Sequence, residues 1–165
     1  MTSQNQIFAE RSTKIGIIAF FLSMVGIVSF LKREDTPTKI SALDFAMLGL
    51  ATFRMGRMIA FDRVADPLRA PFTKVIPDDS GAGEQVVAKG RGPREVIGEL
   101  LSCPICAGTW VAAGLVYGLQ LFPTPTRLLI TIMSAIGFAE IAHAATEALT
   151  WAGQAERVDV GKATK

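Results

Sequence analysis

Cysteine is scarce in this chain: there are two in 165 residues, Cys103 and Cys106. Two cysteines this close together cannot make a disulfide framework or staple distant segments. Histidine is scarcer still. With His143 alone, no serine–histidine–aspartate set can be ordered. The net charge of +2 is too small to indicate strong nucleic-acid binding, so no nucleic-acid partner is expected. There is no G-x-x-x-x-G-K, and Gly90, Gly92 and Gly98 do not form a phosphate loop. No small-residue cleavage site follows the first apolar run. Leu31 is followed at once by Lys32, Arg33, Glu34 and Asp35, which reads as the end of a span rather than a cleaved signal peptide.

Apolar residues are abundant, at 50% of the chain. Mean hydropathy is +0.36. The apolar runs take up most of the sequence, so the expected solvent is a bilayer. The expected fold is an all-α membrane protein, a four-helix transmembrane bundle with a cytoplasmic loop and a short interfacial helix.

Residues 1–14 read as a polar N-terminal tail, 15–152 as the membrane domain and 153–165 as a polar C-terminal tail. Spans are expected at 15–31, 40–61, 104–122 and 128–151. Ser41 is the N-cap of the second. That helix carries Asp44, Arg54 and Arg57, and it also presents small residues, Gly49 and Gly56 among them, to a neighbour. Residues 62–103 form the loop. Pro67, Pro71 and Pro77 exclude a long helix there, and short local structure is expected, with a hairpin around 84–89. A short amphipathic helix follows at 93–102, with Pro93 in its first position. Gly114 and Gly118 offer a G-x-x-x-G contact on the third span. Residues 122–127 are too short to be more than a turn.

Four spans put both termini and the loop on one side. That side holds Arg11, Lys14, Arg63, Arg69, Lys74, Lys89, Arg91, Arg94, Arg157, Lys162 and Lys165. The other side holds only Lys32, Arg33, Lys39 and Arg127. The positive-inside rule then places both termini in the cytoplasm, in a multi-pass protein of the inner membrane.

Three strings add a family resemblance. They are Leu50-Ala-Thr-Phe-Arg-Met-Gly-Arg57, Asp62 with Asp66-Pro-Leu-Arg69, and Gly98-Glu-Leu-Leu-Ser-Cys-Pro-Ile-Cys-Ala-Gly-Thr-Trp110. Together they resemble a bacterial membrane family of unknown function, DUF1360. The resemblance covers about residues 42–137, and it implies a bacterial membrane setting with no particular activity.

Two constellations carry candidate chemistry. Cys103-Pro-Ile-Cys106 at a helix start is similar to the dithiol of glutaredoxins, where unpaired amides and the helix dipole favour thiolate. It also resembles half a zinc knuckle, with His143 and Glu140 as further ligands. Its plain alternative is a tight turn with two small side chains. Glu140, His143 and Glu147 form the second constellation, lying within about 60° on one helix face. Intramembrane ionisable residues are costly unless paired. The simplest reading is an ion pair with Arg54 and Arg57. The expected function is a non-enzymatic assembly or interaction subunit without a cofactor. The alternative is a thiol redox or metal-binding protein, with zinc as the metal. The expected partners are the lipid bilayer and either a membrane protein or a second copy of the chain.

Overall fold

A computed structural model describes residues 2–31, 41–78 and 83–163. The charged turn at 32–39 and the hairpin tip at 79–82 lie outside the described residues. Six helices and one hairpin follow in order: α1 (Thr2–Leu31), α2 (Ala42–Phe61), α3 (Asp66–Arg69), β1 (Thr73–Pro77), β2 (Glu84–Ala88), α4 (Pro93–Ser102), α5 (Pro104–Leu121) and α6 (Pro123–Ala163). A 3-10 turn, Arg63–Ala65, joins α2 to α3.

Local chemistry accounts for most helix starts. Ser41 and Asp44 form a capping box: the Asp44 amide donates to Ser41 Oγ at 3.1 Å, and the Ser41 amide donates to Asp44 Oδ2 at 3.2 Å. Pro93 and Pro104 open α4 and α5, where a missing N–H costs nothing. Pro123 opens α6 in the same way, so α5 and α6 are joined through Phe122 alone. The six-residue turn expected at 122–127 is therefore mostly helix, because proline is tolerated in a first turn.

Both terminal tails are helical where described. The apolar run at 15–31 is the second part of α1, and α6 continues past residue 153 to Ala163. At 1.5 Å per residue α6 is about 60 Å long, against about 27 Å for α5.

α2 is the centre of the fold and packs against both α5 and α6. Leu48 and Ala51 of α2 form the core with Leu115 of α5 and Ile130 of α6. α1 stands at the side. It is tied on by Lys14–Glu99 at 3.0 Å and by Phe20 and Phe21, whose rings lie 6.0 and 5.1 Å from that of Trp110.

One expectation needs correction, and another is met in part. The fold is mostly helical but not all-α, since β1 and β2 pair antiparallel with Val75 opposite Val86. The prolines of this stretch rule out a helix, and its β-branched residues suit a short ladder. The hairpin packs on α4 at Gly98, where any Cβ would strike the Phe72 carbonyl. Residues 62–103 are thus a folded cap rather than a loop. The spans are met in part. Three helices are long and apolar enough to cross a membrane: Gln6–Phe30, Pro104–Leu121 and Pro123–Gln154, with mean hydropathies of 2.0, 1.3 and 1.7. α2 is not among them, and it carries Asp44, Arg54 and Arg57 within its 20 residues.

Candidate functional site

Polar chemistry gathers where α2 ends, α5 begins and α6 passes. Arg57 Nε donates to Glu140 Oε1 at 2.7 Å. Arg54 Nε lies 3.8 Å from Glu140 Oε2, and its terminal nitrogen pairs with Asp62 at 2.5 Å. The Arg57 guanidinium also sits over the rings of Phe53 and Phe61, at 5.7 and 5.6 Å. A carboxylate bound between two guanidiniums is compensated for leaving water, and the aromatic faces attract the cation further.

One turn beyond, Arg69 is only 3% exposed. It donates to the carbonyls of Ile59 at 3.2 Å and Phe61 at 3.3 Å, and it pairs with Asp66. Those carbonyls belong to the last turn of α2, which has no intrahelical donors left for them. Arg69 therefore caps α2, and Asp66 balances its charge. Arg94 fastens the cap in a similar way, with its Nε 2.7 Å from the Pro71 carbonyl.

His143 and Glu147 are not part of this layer. Their side chains are 73% and 63% exposed, and they lie 3.8 Å from each other on α6. Glu140 points to α2, while the next turn of α6 points away.

The cysteines lie beside the charge layer. Cys103 is the N-cap of α5, and its Sγ accepts the Cys106 amide at 3.2 Å. The two sulfurs are joined as a disulfide, with the Cα atoms 5.2 Å apart. Cys103 is half-buried and Cys106 is exposed. Among the described residues no three His, Cys, Asp or Glu side chains stand close enough to hold a metal ion. The zinc arrangement with His143 and Glu140 is therefore not assembled: His143 faces outward, and Glu140 is held by the arginines.

The glycines divide by contact. A Cβ on Gly56 would meet the Pro104 carbonyl oxygen at 2.6 Å, so α2 and α5 touch backbone to backbone. Gly118 faces Thr126 across the α5–α6 junction. A Cβ on Gly49 or Gly114 would meet no neighbouring element within 4 Å, so these are not contact positions. Gly49 instead borders a cavity of about 730 Å³ between α1, α2 and α5, lined mostly by apolar groups along with Thr52, Arg57 and Tyr117. The sequence reading missed Gly137, where a Cβ would lie 2.8 Å from the Leu50 carbonyl oxygen. It also missed the capping role of Arg69. The close spacing of Asp66-Pro-Leu-Arg69 after a helix end was the available signal for the latter.

These features describe a helical protein with three membrane-compatible helices, a charged layer that ties its central helix in place, and a cysteine pair at one helix start. The chain belongs to the DUF1360 family, described as a protein of unknown function, which matches residues 47–146. It is 36% identical over 105 residues to sporulation protein YjcA of Bacillus subtilis (strain 168), covering 62% of this chain and 89% of the relative. It is 31% identical over 110 residues to the UPF0713 protein YngL of the same organism, covering 65% and 81%. No solved structure matches. The family match runs from within α2 to within α6, so the charge layer, the cap and the cysteine pair fall inside it, while α1 does not.

Proposed function

We propose that this chain is a multi-pass protein of the bacterial cytoplasmic membrane that acts as a non-catalytic assembly or interaction subunit. The observation that carries the reading is the closed charge layer. Arg54 and Arg57 join α2 to α6 through Glu140, Arg54 also pairs with Asp62 at the end of α2, and Arg69, balanced by Asp66, joins α3 to the last carbonyls of α2. Their work is to hold helices together, which is what a scaffold needs from ionisable groups in a bilayer.

α2 is the fourth span in this reading. Its 20 residues reach about 30 Å, it lies between two apolar helices, and its arginines are paired. Both termini are then cytoplasmic by the positive-inside rule. The apolar residues left exposed on α1, such as Phe8, Ile18 and Phe30, meet lipid or a partner helix. By likeness to the relative named a sporulation protein, the proposal extends to a role in sporulation where the host cell forms spores.

Reporter fusions at Asp79 and Lys165 test the topology. Both should report the cytoplasm, and an outside signal at either refutes the four-span arrangement. The subunit role is tested by purifying the full chain from its native membrane after gentle crosslinking. A defined stoichiometric partner or homo-oligomer is expected. An isolated monomer at every crosslinker dose contradicts the assembly reading.

A further inference from the structure

The charge layer is accounted for by packing, but the cysteine pair is not. We infer that Cys103 and Cys106 form a thiol–disulfide exchange site, in which Cys106 is the sulfur attacked by an external dithiol and Cys103 is the sulfur that leaves. This goes beyond the assembly reading and does not depend on the topology.

Three observations carry it. The two sulfurs are bonded to each other across the first turn of α5. They differ in access, since Cys106 is exposed beside Ile105, which is 82% exposed, while Cys103 is half-buried. They differ also in support, because Cys103 Sγ accepts the Cys106 amide at 3.2 Å. Exchange is fastest when the reachable sulfur is the one attacked and the departing sulfur is stabilised as thiolate. Here those two properties fall on the two different cysteines. The amide that caps Cys103, together with the positive end of α5, favours its thiolate. The turn is also held in place, because the Pro104 carbonyl rests against Gly56 of α2.

The chemistry balances as follows. A donor thiolate attacks Cys106 Sγ and forms a mixed disulfide. The Cys103–Cys106 bond breaks, and its electron pair leaves on Cys103 Sγ. The second thiolate of the donor then attacks the donor sulfur of the mixed disulfide, and the electron pair leaves on Cys106 Sγ. Both chain sulfurs take up the protons given up by the donor. Two electrons and two protons pass from a dithiol to this pair, and the donor becomes a disulfide. The apolar surroundings, Ile105 and the cavity wall at Pro104, suit a dithiol carried on an apolar protein segment.

The test uses the full chain in detergent with glutathione as the probe thiol, quenched in acid and tagged with maleimide for mass analysis. Both thiols should appear together as one two-electron step, complete within about a hundredfold change in the ratio of reduced glutathione squared to oxidised glutathione. Trapped mixed disulfide should map to Cys106 about tenfold more often than to Cys103. In Cys106→Ser, alkylation of Cys103 should have its pH midpoint at least one unit below the ~8.5 of free cysteine. A bond that resists excess reduced glutathione is structural and overturns the inference. Thiols that stay reduced in oxidised glutathione overturn it as well. A mixed disulfide that maps to Cys103 reverses the assigned roles and refutes them.

Discussion

Gly56→Ala and Gly114→Ala make the same chemical change on two neighbouring helices, α2 and α5. At Gly56 the new Cβ stands 2.6 Å from the Pro104 carbonyl oxygen and 3.3 Å from both Cα and N of Gly108. Ordinary contact begins near 3.4 Å. All three neighbours are backbone atoms, so no rotamer change relieves the clash and α5 must lift away from α2. Overpacking of this kind costs about 1–3 kcal/mol. Replacing a helical glycine by alanine gains about 1 kcal/mol in helix propensity, but both variants receive that gain, so it cancels in the comparison. At Gly114 the methyl group enters open space. The difference between the variants should therefore be about 1–3 kcal/mol, or roughly 2–12 °C in melting temperature for a chain of this size. The assay is thermal unfolding of the full chain in mild detergent, followed by tryptophan fluorescence. Trp110 sits on α5 against Phe20 and Phe21, so it senses loosening of that helix. If Gly56→Ala melts at or above Gly114→Ala, the backbone contact between α2 and α5 is wrong.

Four further outcomes concern the ion pairs, the Arg69 cap and the exposed histidine. Glu140→Gln should cost about 1–2 kcal/mol, less than a fully buried pair because Arg57 is partly exposed. A double-mutant cycle with Arg57→Gln should show coupling of about 1 kcal/mol, and additivity would mean that the two side chains do not interact. Arg69→Met should cost about 1–3 kcal/mol, since it leaves two α2 carbonyls without their donor, while Asp66 is exposed enough to be solvated. It should appear as a loss of monodisperse protein on extraction, and wild-type yield would contradict the capping role. His143→Ala should stay within about 0.5 kcal/mol of wild type in the same melt, because the side chain is exposed, and a larger loss would place it in a contact the fold does not show.

Much of the secondary structure was determined by the sequence alone, because helix starts are written in neighbouring residues. Ser41 with Asp44 signals a capping box, and Pro93 and Pro104 signal first turns. The long apolar stretches of α1, α5 and α6 are likewise visible without any tertiary information. The extents were less legible. Proline in a first turn is compatible with helix, so Pro123 did not disclose that α6 begins five residues before Leu128. Only the tertiary structure decided which side chains meet, because that depends on how each helix is rotated and how closely it approaches its neighbours. Gly56 and Gly114 look alike in sequence, yet only Gly56 faces a backbone. Glu140 and His143 lie on one stripe, but that stripe is wider than the α2–α6 contact, so Glu140 meets Arg57 while His143 remains outside. Arg69 reads as one more basic residue of a loop until the chain turns back at Asp66 and brings its guanidinium to the carbonyls that end α2.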